Sequence, residues 1–178
     1  MADNLVSIYK AVAVDDWKWY EPYLTYANSL LPEAMLFAAK ATDNNLYRII
    51  AKESFEFLLS VTYLENEIKV VTNQGGIQQG RDNIEFGEQP IEIAYTILAL
   101  DSFYRELNDV DFLHKMEIAF DWFLGRNHLN QIIYNPCTGG CCDGLEQYHV
   151  NLNQGAESTV SYILARLTVE KYIDLDID

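Results

Sequence analysis

Five carboxylates accompany three short polar segments of this chain: Glu21, Glu88, Glu92, Asp143 and Glu157. Carboxyl pairs are the machinery of glycoside chemistry, in which one protonated carboxyl assists the leaving oxygen and a second serves as nucleophile or base. Their separation is about 5–5.5 Å for retention and about 6.5–9.5 Å for inversion. Sequence spacing does not supply that distance. Glu21, Glu88 and Glu157 are the candidates for catalysis. Two of them also have an ordinary use: Glu157, like Glu33, falls in a first helical turn, where the helix dipole and free amides favour a carboxylate, and Glu21 fits a turn anchor.

Amides and aromatic rings complete the same segments. Gln89, Asn151, Asn153 and Gln154 offer donors and acceptors together, as hydroxyl recognition requires, and Asn28 stands in an equivalent place. The alternative is that they tie loops to helix starts, whose amides need partners. Trp17, Trp19, Tyr20, Tyr23 and Tyr26 would stack on a pyranose face or fill a core, and alternation sends some of them inward. The substrate-binding set is Trp19, Tyr20, Tyr26, Asn28, Gln89, Asp143, Asn151 and Asn153.

Other chemistries have weaker patterns. Cys137, Cys141, Cys142 and His149 combine thiolates with an imidazole, but without the separated ligand pairs of a zinc site, so no metal and no cofactor is expected. His114 and His128 stand alone with no visible catalytic partner and read as surface or internally satisfied histidines. Ser158 begins a helix and lacks the G-x-S-x-G elbow. No phosphate-cradling glycine loop is present.

The three segments are Trp19 to Asn28, Phe86 to Pro90 and Asn151 to Ser158. Asn28, Gln89 and Asn153 mark them at separations of 61 and 64 positions, about one helical hairpin with a long loop. Each precedes a helix-patterned stretch, so stacked hairpins would bring all three to one face. Leu31 to Ala41 reads as a helix with Leu31, Ala34, Met35 and Ala38 on a stripe, capped by Asn28 or Ser29. A partner helix runs from Asn44 to Tyr63, with Leu46, Ile49, Ile50, Phe57, Leu58 and Val61 inward. Residues 66–87 form a loop with a short strand pair, given Gly75, Gly76 and Gly80 beside Ile68 to Val71. The second hairpin joins Ile91–Leu107, with Ile93, Ile97, Leu100, Tyr104 and Leu107 inward, to Asp111–Leu124, with Phe112, Leu113, Met116, Phe120 and Phe123 inward, stopping at Gly125. Residues 126–154 are irregular, a length that commonly serves function. A final helix, Gly155 to Tyr172, carries Val160, Ile163, Leu164 and Leu167 on one side and has no partner.

With 178 residues and 49% hydrophobic content the chain fits one domain with a substantial core. Its formal charge of −15 excludes the cationic footprint of a nucleic-acid binder. No apolar run spans a bilayer, and the start lacks a basic segment followed by an apolar one. Three clustered cysteines make a poor disulfide framework, so a cytoplasmic setting is expected. The tail from Asp174 to Asp178 reads as frayed.

Taken in order, Trp17 to Ala34 (WKWYEPYLTYANSLLPEA), Glu88 to Glu92 (EQPIE), Asp121 to Asn127 (DWFLGRN), Asp143 to Leu145 (DGL) and Asn151 to Thr159 (NLNQGAEST) resemble the helical C-terminal region of some bacterial group 1 glycosyltransferases. That region is related to the (α/α) toroids of six-hairpin carbohydrate enzymes. The resemblance covers most of residues 15–170. It implies an all-α fold of antiparallel helical hairpins forming about half of an (α/α) toroid, with the first, third and fifth helices inner and the three segments at the mouth of a sugar-binding funnel. A full toroid needs roughly twice this length, so the half-ring would be completed by another copy or a neighbouring domain. A saccharide-interacting domain is therefore the first functional expectation. Its rivals are a glycoside hydrolase or sugar epimerase with its own acid/base pair, and a helical assembly module.

Overall fold

The computed structural model describes residues 1–81 and 86–172. The expectation for Asp174 to Asp178 lies outside them.

Among the described residues there are six helices, about half of the chain: α1 (Ala2–Val12), α2 (Leu30–Thr42), α3 (Asn45–Thr62), α4 (Pro90–Leu107), α5 (Asp111–Asp121) and α6 (Ala156–Val169), the last running into a 3-10 turn at Glu170–Tyr172. Their limits have local causes. Asn44 caps α3 by accepting the Leu46 amide at 2.9 Å. Pro90 opens α4, where no amide hydrogen is needed. Asp43 and Asn108 end α2 and α4 in the left-handed conformation. Helix α5 stops at Asp121, short of Leu124, and a run of turns carries the chain to Gly125 at φ 106°.

The all-α expectation is corrected to a mixed architecture. Four antiparallel pairs of two-residue strands occupy the connections among the described residues: β1 (Tyr23–Leu24) with β4 (Ile77–Gln78), β2 (Tyr63–Leu64) with β3 (Glu67–Ile68), β5 (Tyr134–Asn135) with β6 (Gly140–Cys141), and β7 (Gly144–Leu145) with β8 (Val150–Asn151). Long connections packed on a core must pair their backbone groups, and short ladders do this where no helix forms. Helix α1 was also not anticipated. It buries only Val6 and Tyr9, too little for a strong periodic signal.

Helix α4 lies at the centre, packed against α2, α5 and α6, while α3 backs α2. Its burial is nearly all-round: Ile93, Ala94, Ile97, Ala99, Leu100 and Phe103 are within 1% of full burial. Phe55 of α3 stacks on Phe103 at 4.3 Å and on Phe112 of α5 at 6.1 Å, joining the two hairpins. Helix α6 turns Tyr162 and its small residues inward. Ser158, Ser161, Tyr162, Ala165 and Thr168 are buried, whereas Val160, Ile163, Leu164 and Leu167 are 41–57% exposed. Small inward residues let α6 approach α4 closely.

No helix among the described residues is long and apolar enough to cross a membrane.

Two substitutions test this facing of α6. Ile163→Ser should change unfolding free energy by no more than about 0.5 kcal/mol, because the site is solvated. Ala165→Leu, at a fully buried contact, should cost about 1–3 kcal/mol by overpacking. Urea titrations of both variants make the comparison.

Candidate functional site

The N-termini of α2, α4 and α6 gather at one end of the molecule, and three carboxylates hold them there. The first is Glu92 in the opening turn of α4. Its Oε1 accepts the Ala27 amide, and its Oε2 accepts Asn28 Nδ2 at 3.2 Å. Ala27 takes a left-handed φ of 53°, a conformation that costs an L-residue roughly 1 kcal/mol and is offset by that amide bond. Asn28 is 4% exposed, and its Oδ1 accepts the Thr25 amide at 3.0 Å. Ser29 bonds Thr96 of α4 at 3.0 Å. Ser29 stands at the N-cap position of α2, as one of the two expected, but neither side chain makes a capping bond, because each is committed to a neighbour. Burial pushes the Glu92 carboxyl up to about 7, against the opposing bonds from Ala27 and Asn28.

Glu88, just before α4, is the second. Its backbone pairs with Leu145 in both directions, at 3.0 and 2.9 Å. This contact requires glycine at 144, since a Cβ there would lie 2.3 Å from the Glu88 carbonyl oxygen. The side chain is 2% exposed. Oε2 accepts the Trp122 indole N–H at 2.7 Å, and Oε1 lies 3.0 Å from His128 Nδ1. Burial raises this carboxyl above the usual range, opposed by the Trp122 bond, by His128 and by Lys69. His128 therefore has a carboxylate partner that the sequence did not show, forty positions away. Its other nitrogen lies 3.0 Å from the Glu146 carbonyl oxygen, so it is an internally satisfied histidine, as expected. His114 is a surface residue, 3.9 Å from Glu117.

Asp143 is the third. Its Oδ1 accepts the Gly155 amide at 2.8 Å and the Ser158 hydroxyl at 2.7 Å, and its Oδ2 accepts Asn153 Nδ2. Burial acts to raise this carboxyl, but the bonds from Ser158, Gly155 and Asn153 outweigh it and hold Asp143 below the usual range.

Between these anchors lies a cleft of about 270 Å³. Glu88, Gln89, Asp143, Asn151 and Glu157 line it, joined by Asn73, Glu146, Ser158 and the backbone at Gly87, Gly144, Gly155 and Ala156. No Lys or Arg is among these residues. Tyr26 sits at the rim, half exposed, its hydroxyl donating to Glu157 Oε2 at 3.4 Å.

The remaining sequence candidates fall elsewhere. Trp19 and Tyr20 are corrected from ligand contacts to core residues: both are 1% exposed, they meet edge to face at 5.3 Å, and the Tyr20 hydroxyl pairs with Ser54 at 3.0 Å. Their size makes burial the larger gain. Glu21 does not line the cleft and instead accepts the Tyr23 hydroxyl at 3.2 Å. Asn153 bonds Asp143 and the Asn151 side chain rather than lining the cleft directly. Cys137 is exposed while Cys141 and Cys142 are buried, all three as free thiols. Among the described residues no three His, Cys, Asp or Glu side chains are arranged to hold a metal ion. Trp122, His128 and Glu146 were missed as site residues. Only the place of Trp122 within the segment Asp121–Asn127, and of His128 beside it, hinted at them.

No family pattern matches the chain, and no curated relative does.

Glu92 gives a pH test. Its folded-state affinity for a proton exceeds the unfolded one, so folding binds a proton across the interval from about 4.5 to about 7. The contribution of Glu92 to stability should be greatest below that interval, fall as pH rises through it by on the order of 3 kcal/mol, and then level off. Glu92→Gln should flatten that slope even if it lowers stability throughout, which denaturant titrations at a series of pH values would read.

Proposed function

We propose that this chain is a saccharide-interacting helical domain of a carbohydrate-active protein associated with a glycosyltransferase system, and that its helices belong to part of an (α/α) toroid. The observation that carries the reading is the cleft lined by the second and third polar segments, with Tyr26 of the first bonded to Glu157 at its rim. Its walls alternate carboxylates, carboxamides and backbone groups, the mixture of donors and acceptors that hydroxyls need. Tyr26 supplies an exposed ring at its edge for the apolar face of a sugar. At about 270 Å³ it falls just below the range of pockets for drug-sized ligands, which suits one sugar unit or a chain end. The absence of cations from its lining disfavours anionic glycans, so the expected ligand is neutral or weakly polar. Three free thiols fit a reducing, cytoplasmic setting.

Binding without turnover is the better fit than hydrolysis or epimerisation. Both oxygens of Glu88 are held by internal partners, and Asp143 is committed to the start of α6. Glu157 is the only cleft carboxylate of the original catalytic set left exposed.

A second reading, as an assembly module, is favoured by the exposed stripe of Val160, Ile163, Leu164 and Leu167 on α6. A second copy of the chain would cover it. Sedimentation showing a dimer that Leu164→Lys disperses would support this reading, and a monomer at high concentration would remove it.

Glycan-array screening followed by calorimetry tests the first reading. Gln89→Ala and Glu157→Gln should each weaken binding about tenfold, the worth of one well-placed hydrogen bond, with the circular-dichroism spectrum unchanged. Failure of the folded protein to bind any saccharide at millimolar concentration would end it.

A further inference from the structure

The Glu88–His128 contact obeys a strict count of hydrogens. His128 Nε2 lies 3.0 Å from the Glu146 carbonyl oxygen, which only accepts, so Nε2 carries a hydrogen. Glu88 Oε2 is occupied by the Trp122 N–H. The 3.0 Å contact of Nδ1 with Oε1 then needs one more hydrogen. It resides either on Nδ1, as an imidazolium–carboxylate pair, or on Oε1, as a carboxylic acid donating to a neutral ring.

We infer that Glu88 and His128 hold one proton between them, and that this proton latches the β7–β8 hairpin to the start of α4, making that wall of the cleft pH-sensitive. His128 is the bridge, with one nitrogen on Glu88 and the other on the hairpin at Glu146. Loss of the proton at alkaline pH sets a carboxylate against a ring lone pair. Gain of a second at acid pH leaves an additional hydrogen in a site where Trp122 already donates and Glu88 is 2% exposed. Either change releases the ring and weakens the hairpin's hold. Lys69 is the cation acting on the Glu88 carboxyl. Asp143, Glu146 and Glu157 line the same cleft, bonded respectively to Ser158, Gln74 and Tyr26, and His149 lies in the hairpin turn, where its carbonyl accepts the Glu146 amide. The effect on ligand uptake rests on the saccharide reading of the cleft, whereas the latch rests on hydrogen-bond geometry alone.

Nuclear magnetic resonance of the ¹⁵N-labelled, ligand-free full chain tests the latch between about pH 4 and about pH 10, a range spanning carboxyl and imidazole titration. At neutral pH His128 Nε2 should be protonated. The Trp122 indole resonance should shift on both the acid and alkaline sides. Protection factors of the Gly87, Glu88 and Leu145 amides should fall about tenfold or more on each side, while Ile97 and Leu100 in α4 stay protected. Glu88→Gln presents an oxygen to Trp122 and an amino group to a neutral His128, satisfying both contacts without a titrating proton. In that variant the alkaline loss should disappear and the acid loss remain. An unprotonated His128 Nε2 in the wild-type protein, or an alkaline loss unchanged in Glu88→Gln, overturns the proposal. Should the variant not fold, the wild-type histidine spectrum decides. Because no ligand is used, a failed saccharide screen would leave the latch standing.

Discussion

Three helix N-termini meeting at one end of the molecule set the constraint on which the rest of the structure depends. Each helix start carries unpaired amides and the positive end of a dipole, and three such ends side by side repel one another. Carboxylates are the efficient remedy, and here each acts across segments. Glu92 of α4 serves the turn before α2, and Asp143, just before β7, serves the start of α6. Glu88 joins the start of α4 to the end of α5 and to the β7–β8 hairpin. The acidic residues that first suggested chemistry are in this sense fasteners, and the cleft is the space left between them.

That division assigns different tasks to residues of one type. A buried carboxyl bonded on both oxygens has little capacity to engage a ligand, because reaching outward would leave Trp122 or Ala27 without an acceptor in a low-dielectric site. Gln89, Asn151 and Glu157 also line the cleft, and Asn151 and Glu157 are exposed to solvent. Burial beneath the cleft explains why a domain this acidic keeps Glu88 and Glu92 above their ordinary range, while Asp143, which accepts several donors, lies below it.

Packing follows from the central position of α4. A helix covered on nearly every side must be apolar nearly all round, as Ile93 to Phe103 are. The cost of its few buried polar groups is offset by specific partners: Asp101 receives Arg105, Lys171 and Tyr172, and Ser102 donates to Glu33 at 2.6 Å. Helix α6, by contrast, gives α4 a face of Ser, Ala and Thr and leaves its larger aliphatic residues in solvent.

The sequence by itself determined the helices from Leu30 onward to within a few residues, because 3.6-residue periodicity is a local property. It also determined that the three polar segments would share a face, since their even spacing and their places before helices of one direction are readable without coordinates. It did not determine which segments the strands of residues 66–87 pair with, the strand pairs of residues 134–151, or the helix at Ala2–Val12, because pairing partners are set by how distant segments pack. Only the tertiary structure decided that Trp19 and Tyr20 fill the core, that Glu21 stands apart, and that Glu88 meets Trp122 and His128. Those contacts join positions 34 and 40 residues apart in the chain. Their donors and acceptors find one another through the packing of α4 against α5 and the hairpin, and no local pattern encodes that meeting.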